Sequence, residues 1–257
     1  MTSARLLPLV TFAALLLGWE ALVQLQNIPP YVLPAPSRIL MALREDWGLL
    51  SAALLVTLKI TALALILATS IGVALAIVFA QWSWLERTFF PIAVILQVTP
   101  IIAIAPLLLI YLDADTAVLA CAFLVAFFPI LSNTALGLSS TDHNLRDLFD
   151  LYGASRWQQM HLLRLPSALP YFLGGLRIAG GLALIGAIAA EIAAGASGQG
   201  AGLAYRIVEA GYRLNIPRMF AALVLISVAG IAIWLVLELV TDQLLKRWHD
   251  SARDRSR

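Results

Sequence analysis

Residues 144–170 read NLRDLFDLYGASRWQQMHLLRLPSALP, a polar, glycine-punctuated stretch set between two strongly hydrophobic ones. A bilayer interior would not hold its charges, so the stretch belongs outside the membrane. Its first half predicts a short helix with Leu145, Leu148, Phe149 and Tyr152 at i, i+3, i+4 and i+7, and with Arg146, Asp147 and Asp150 on the opposite face. Gly153 stops that helix. Ser155 followed by Gln158 reads as a capping box opening a second helix, and Pro166 and Pro170 are expected to lead the chain back to the membrane. The result is a helix-turn-helix finger whose exposed apolar stripe calls for a partner.

Outward from the finger the chain is a membrane protein by composition. Of its 257 residues 61% are hydrophobic and 12% charged, which excludes an ordinary soluble domain and a disordered chain. A crossing needs about 20 apolar residues. Six candidate spans meet that need: Leu6 to Gln24, Ala53 to Ala80, Phe89 to Leu112, Thr116 to Leu138, Tyr171 to Ala194 and Pro217 to Val240. The expected fold class is all-α, a polytopic integral membrane protein of about six transmembrane helices. With the N-terminus inside, the inner segments hold Arg5, Arg87, Arg146, Arg156, Arg164, Lys246, Arg247, Arg253, Arg255 and Arg257. The outer ones hold only Arg38, Arg44, Arg206, Arg213 and Arg218. Because basic loops stay in the cytoplasm, this bias puts the finger and both termini there. The first span is read as a retained helix and not a cleaved signal, given Glu20 and no clear small-x-small site.

Between the first two spans, residues 28–44 (IPPYVLPAPSRILMALR) form a proline-punctuated connector and a short amphipathic helix that Ser37 is placed to cap. The fifth span carries small residues at four-residue spacing, Ala179, Ala183 and Ala187, then Gly186, Ala190 and Ala194. These strips suit close packing, either within the chain or at a moving dimer interface. Gly174, Gly175, Gly180 and Gly181 make the inner half of that span pliant. Ionisable groups in a span are functional candidates by default, so Glu191 stands out, with either a path-lining or a helix-holding role. Gln97 and Thr99, beside a helix break at Pro100, are the other candidates for a substrate path. Glu20, Lys59 and Glu238 lie near enough to span ends to snorkel.

Several chemistries are excluded. A phosphate-binding loop needs Gly-Lys-Ser or Gly-Lys-Thr, and the two lysines, Lys59 and Lys246, each follow a leucine. The glycine-rich run at 195–202 has Leu203 where a dinucleotide fingerprint needs its third glycine, and it reads as an outer turn. His143, His161 and His249 have no companion ligands at metal spacing, and Cys121, a lone cysteine within a span, reads as a small core residue. No catalytic constellation and no metal site is expected. The net charge of +2 is mostly the basic tail, which suits lipid headgroups and not nucleic acid.

The Gly153-Ala154-Ser155 turn and the Leu165-Pro166 exit resemble the coupling loop of binding-protein-dependent ABC transporter permeases. That family has Glu-Ala-Ala, then a Gly four residues on, then Leu-Pro. Here the triplet positions are Asp147, Leu148 and Phe149, a shortened acid and two enlarged residues. The resemblance extends through PYFLGGLRIAGGLALIGAIAAEI at 170–192 and back to LPAPSRIL at 33–40 and QVTPIIAIAPLLLIY at 97–111. It is greatest for the branch serving sulfonates, taurine, nitrate and thiamine or riboflavin precursors, with pyrimidine and riboflavin precursors ahead.

The resemblance implies a type I ABC importer permease fold. Residues 1–52 would form the first span and outer connector, 53–245 the transmembrane domain with its coupling loop at 141–170, and 246–257 a basic tail. It implies two ATPase subunits, an extracytoplasmic solute-binding protein, a permease homodimer and a bacterial inner membrane. This chain would bind no cofactor, the partner ATPase using ATP and Mg. Asp147, Leu148, Phe149, Tyr152, Gly153, Ser155, Arg156 and Pro166 would couple the permease to the ATPase, with Arg146 adding a polar contact. An ion-coupled secondary carrier and a non-transporting scaffold remain as alternatives, the former requiring more mid-membrane acids than Glu191.

Overall fold

The computed structural model describes residues 3–195 and 201–246. The basic tail with Arg247, His249, Arg253, Arg255 and Arg257, the middle of the 195–202 run and the Arg5 side chain lie outside the described residues. Every regular element described is helical: α1 Ser3–Leu25, α2 Pro36–Glu45, α3 Trp47–Gln81, α4 Ser83–Val98, α5 Ile101–Tyr111 and α6 Ala114–Ser139, then α7 His143–Leu151 and α8 Arg156–Gln159. A π turn, Met160–Arg164, follows, then α9 Leu165–Ala194, α10 Leu203–Tyr212 and α11 Ile216–Leu245.

Among the described residues four helices are long and apolar enough to cross a membrane: Trp47–Gln81, Ala114–Ser139, Arg156–Ala194 and Ile216–Leu245. They correspond to four of the expected spans. The expected Phe89 to Leu112 span is instead the pair α4 and α5, which meet at 100° and make a fifth candidate if counted together. The bend follows from Pro100, which lacks an N–H and drives Thr99 out of the helical region, to φ −72 and ψ 125. Among the described residues α1 supplies the shorter apolar helix Val10–Leu25.

The chain forms two compact units. The first contains Met1–Val56 and Gly195–Val228. Its core joins Ile39 and Ala42 of α2, Leu50 and Ala53 of α3, Leu203 of α10, and Ala221, Ala222 and Leu225 of α11. Ser37 does not cap α2. Ala35 holds the N-cap position, and the Ser37 N–H and hydroxyl both donate to the Glu20 carboxylate, at 2.9 and 2.7 Å. Glu20 therefore ties α1 to the first turn of α2, where the helix dipole favours a negative charge, and does not simply reach for solvent. A two-pronged ion pair, Arg218 to Asp46 at 2.6 Å for both bonds, fastens the start of α11 to the α2–α3 junction. Sequence periodicity did not single out α10, although Leu203, Ile207 and Ala210 recur at helical spacing.

The second unit contains Thr57–Ala194 and Ala229–Arg257. Its centre is the seam between α6 and α9, where small residues let the backbones approach. A Cβ added at Gly175 would lie 2.7 Å from the Pro129 carbonyl oxygen, and one at Gly186 would lie 3.0 Å from Ala122 Cα. Ala179 and Ala183 pack with Ala68, Ala126 and Ile130, while Ala187 and Ala190 pack with Ala64, Ala105, Val118 and Cys121. Both small-residue strips of the fifth span are thus used inside one chain. Close contact along them gains dispersion energy that bulkier residues would forfeit. Gly175 serves this packing, Gly180 lets Ile233 and Leu237 of α11 come close, and Gly174 and Gly181 face open space. At the other end of α6, the Asp113 carboxylate accepts from the Thr116 N–H at 3.0 Å and from its hydroxyl at 2.8 Å. The Thr116 N–H is the larger cause, and together they hold Asp113 below the usual carboxylate range.

Candidate functional site

Local chemistry builds the finger from both ends. Asp142 caps α7, its carboxylate accepting from the Asn144 N–H at 2.8 Å. The helix ends as the sequence predicts. Gly153 takes φ +67, and the Gly153 and Ala154 N–H groups return to Asp150 and Phe149 carbonyls at 3.0 Å each, in the manner of a glycine-closed helix end. The capping box of Ser155 and Gln158 is formed in both directions. Gln159 then bridges the arms, its Nε2 donating to Asp150 Oδ1 at 2.6 Å.

The second arm continues through the π turn into α9, giving one helical run over Arg156–Ala194 that carries both prolines. Pro166 sits in the first turn of α9 and Pro170 lies within that helix. Since Pro166 has no N–H to bond and its ring crowds the carbonyl four residues back, a widened turn just before it relieves the clash. The Leu165 N–H accordingly reaches the Met160 carbonyl, five residues away.

This architecture exposes an apolar tip. Leu151 and Tyr152 are each 84% exposed, and Leu145, Leu148 and Trp157 are also exposed, with Trp157 stacked on His161. Asp147, Ser155 and Arg156 are exposed beside them, whereas Phe149 is half-buried. Leu151 and Trp157, not singled out from the sequence, join the surface because the tight turn swings them onto the tip. Arg146 faces the other way. Its Nη2 donates to the Ser139 carbonyl at 3.1 Å and the Leu138 carbonyl at 3.4 Å, which removes it from the docking face.

The three path candidates occupy different settings. Gln97 is exposed at the α4–α5 bend, and the Thr99 hydroxyl donates back to the Ile95 carbonyl at 2.7 Å. Glu191 is only 4% exposed and accepts from the Thr57 hydroxyl at 2.8 Å, linking α9 to α3. Glu238 does not snorkel. It pairs with Arg177 of α9 at 2.7 Å, and Arg177 is a residue that span counting passed over. Among the described residues, no group of three His, Cys, Asp or Glu side chains is placed to hold a metal ion.

Several long apolar helices and a short helix-turn-helix with an apolar tip, among the described residues, mark a multi-pass membrane protein. Residues 68–250 match the family described as binding-protein-dependent transport system inner membrane component, and the chain belongs to that family. It is 33% identical to the riboflavin transport system permease protein of Chloroflexus aurantiacus, over 94% of this chain and 90% of that one. To the formylaminopyrimidine transport permease protein of Halalkalibacterium halodurans it is 34% identical, over 87% of this chain and 88% of that one. It is 28% identical to the taurine transport system permease protein of Escherichia coli, over 93% and 88% respectively. The chain is therefore a permease component of an ABC import system for a small solute, and not an enzyme. ATP hydrolysis resides in a separate subunit, and family membership implies an ATPase and a solute-binding protein as partners.

Proposed function

We propose that two copies of this chain form the translocation path of an ATP-driven importer in a bacterial inner membrane, with the finger and both termini on the cytoplasmic side. The finger, residues 141–170 with Asp147, Leu148, Phe149, Tyr152, Gly153, Ser155, Arg156 and Pro166, docks on one of two ATPase subunits that use ATP and Mg. The single observation that carries this reading is the tip. A side chain such as Tyr152 left 84% exposed outside every span gains roughly 25 cal/mol per Å² of apolar area covered by a partner. An extracytoplasmic binding protein delivers the solute, a small aromatic heterocycle, in keeping with the riboflavin and formylaminopyrimidine named for the two relatives at 33 and 34% identity. Gln97 and Thr99 line the path, and Glu191 holds its outer end.

The test is affinity capture of the tagged chain in mild detergent, comparing wild type with Gly153→Arg. Position 153 combines φ +67 with open space, so the arginine strains the turn and stands in the docking face without touching the membrane spans. The variant is expected in the membrane at wild-type level, with its ATPase absent from the captured material. Equal ATPase recovery from both proteins overturns the coupling role.

A further inference from the structure

At the root of the finger, each arm grips the end of a different span. Arg164 Nη1 donates to the Ala80 carbonyl at 3.0 Å, eighty-four positions away and in the last turn of α3. Arg146 Nη2 holds the Leu138 and Ser139 carbonyls in the last turn of α6. The final carbonyls of a helix have no partner within it and carry the negative end of its dipole, so a guanidinium makes charge-assisted bonds there. Met160 and Arg164, four residues apart, lie on one face of the helical run. Met160, 1% exposed, is sunk among Phe79, Leu131, Leu138 and Ala168 while Arg164 reaches Ala80 beside it.

An apolar plug such as Met160 transmits a push but resists a pull weakly, because dispersion falls off within a fraction of an ångström. Directional hydrogen bonds from two guanidiniums resist the pull.

We infer that Arg164, seconded by Arg146, is a positioning residue for transport, the tie through which movement of the finger draws the ends of α3 and α6. This rests on the coupling role of the finger. The test uses the complex captured with one full-length copy of the chain spin-labelled and the other unlabelled, the labels at Asn144→Cys on α7 and Trp82→Cys just past α3, with Cys121→Ser. Distances are read without nucleotide and with ATP plus vanadate, alongside ATPase recovery and ATP turnover. With Arg164 present, one narrow distance is expected in both conditions. Arg164→Gln is expected to keep its ATPase and ATP turnover, yet to broaden or displace that distance under ATP plus vanadate by about one helical turn, roughly 5 Å. Arg164→Lys, which still donates to Ala80, restores the narrow distance. An unchanged distance in Arg164→Gln overturns the inference. So does loss of the ATPase from that variant, which makes the arginine a plain structural support. Absence of ATPase from the wild-type capture instead overturns the coupling role itself.

Discussion

Glu191 shows how one buried side chain acquires a role from its neighbours. A carboxyl in a span is costly unless held, and the Thr57 hydroxyl at 2.8 Å supplies one of the bonds that hold it. Its burial favours fastening α9 to α3 over contact with a passing solute. Glu209 of α10 carries the clearest electrostatic signature. A hydrogen bond from Arg206, reinforced by the charges of Arg206, Arg213 and Arg218, holds its carboxyl below the ordinary range against the opposing effect of burial. Since the folded-state value is depressed, this stabilisation is full above the ordinary glutamate range and drains away as pH falls through it toward the folded value. In Glu209→Gln, thermal unfolding in detergent is expected to show a loss of up to about 1 kcal/mol at neutral pH and a shallower acid decline than wild type.

At the scale of elements, the α6–α9 seam is set by which glycines meet a neighbour. Gly175 and Gly174 are adjacent in α9, yet only Gly175 faces Pro129 and Asn133. Gly175→Leu is expected to force the helices apart and lower stability by about 1–3 kcal/mol. Gly174→Ala, with nothing within 4 Å, is expected to be neutral or to add up to about 1 kcal/mol through helix propensity. Melting temperatures of the two purified variants check the contrast. The finger was legible at this scale because its caps are local: Ser155 with Gln158 and the glycine at 153 act within one turn of chain. The π turn was not, since Pro166 alone does not say whether the helix stops, kinks or widens.

For the whole molecule, the arginine bias makes a claim about sidedness that labelling can check. Tyr152 at the finger tip and Tyr212 at the end of α10 are both highly exposed and are separated along the chain by one span, Arg156–Ala194. With Cys121 buried, Tyr152→Cys and Tyr212→Cys in intact cells are expected to react oppositely with an impermeant thiol reagent. Tyr212→Cys labels at once and Tyr152→Cys only after the membrane is opened; the reverse pattern overturns the orientation.

Composition, apolar run lengths and local capping by themselves determined that this is an all-helical membrane protein with a finger outside its spans, and where that finger turns. These properties depend on solvent preference and on backbone chemistry within a few residues. The break at Pro100 was legible for the same reason, but the 100° angle was not. Only the tertiary structure decided that the small-residue strips of α9 are consumed within the chain, that Glu20 ties down α2, that Arg177 pairs with Glu238, and that Arg146 and Arg164 turn inward to the ends of α6 and α3. Each joins residues far apart in sequence. Periodicity says which face of a helix is small, acidic or basic, while what that face meets is set by how the helices pack.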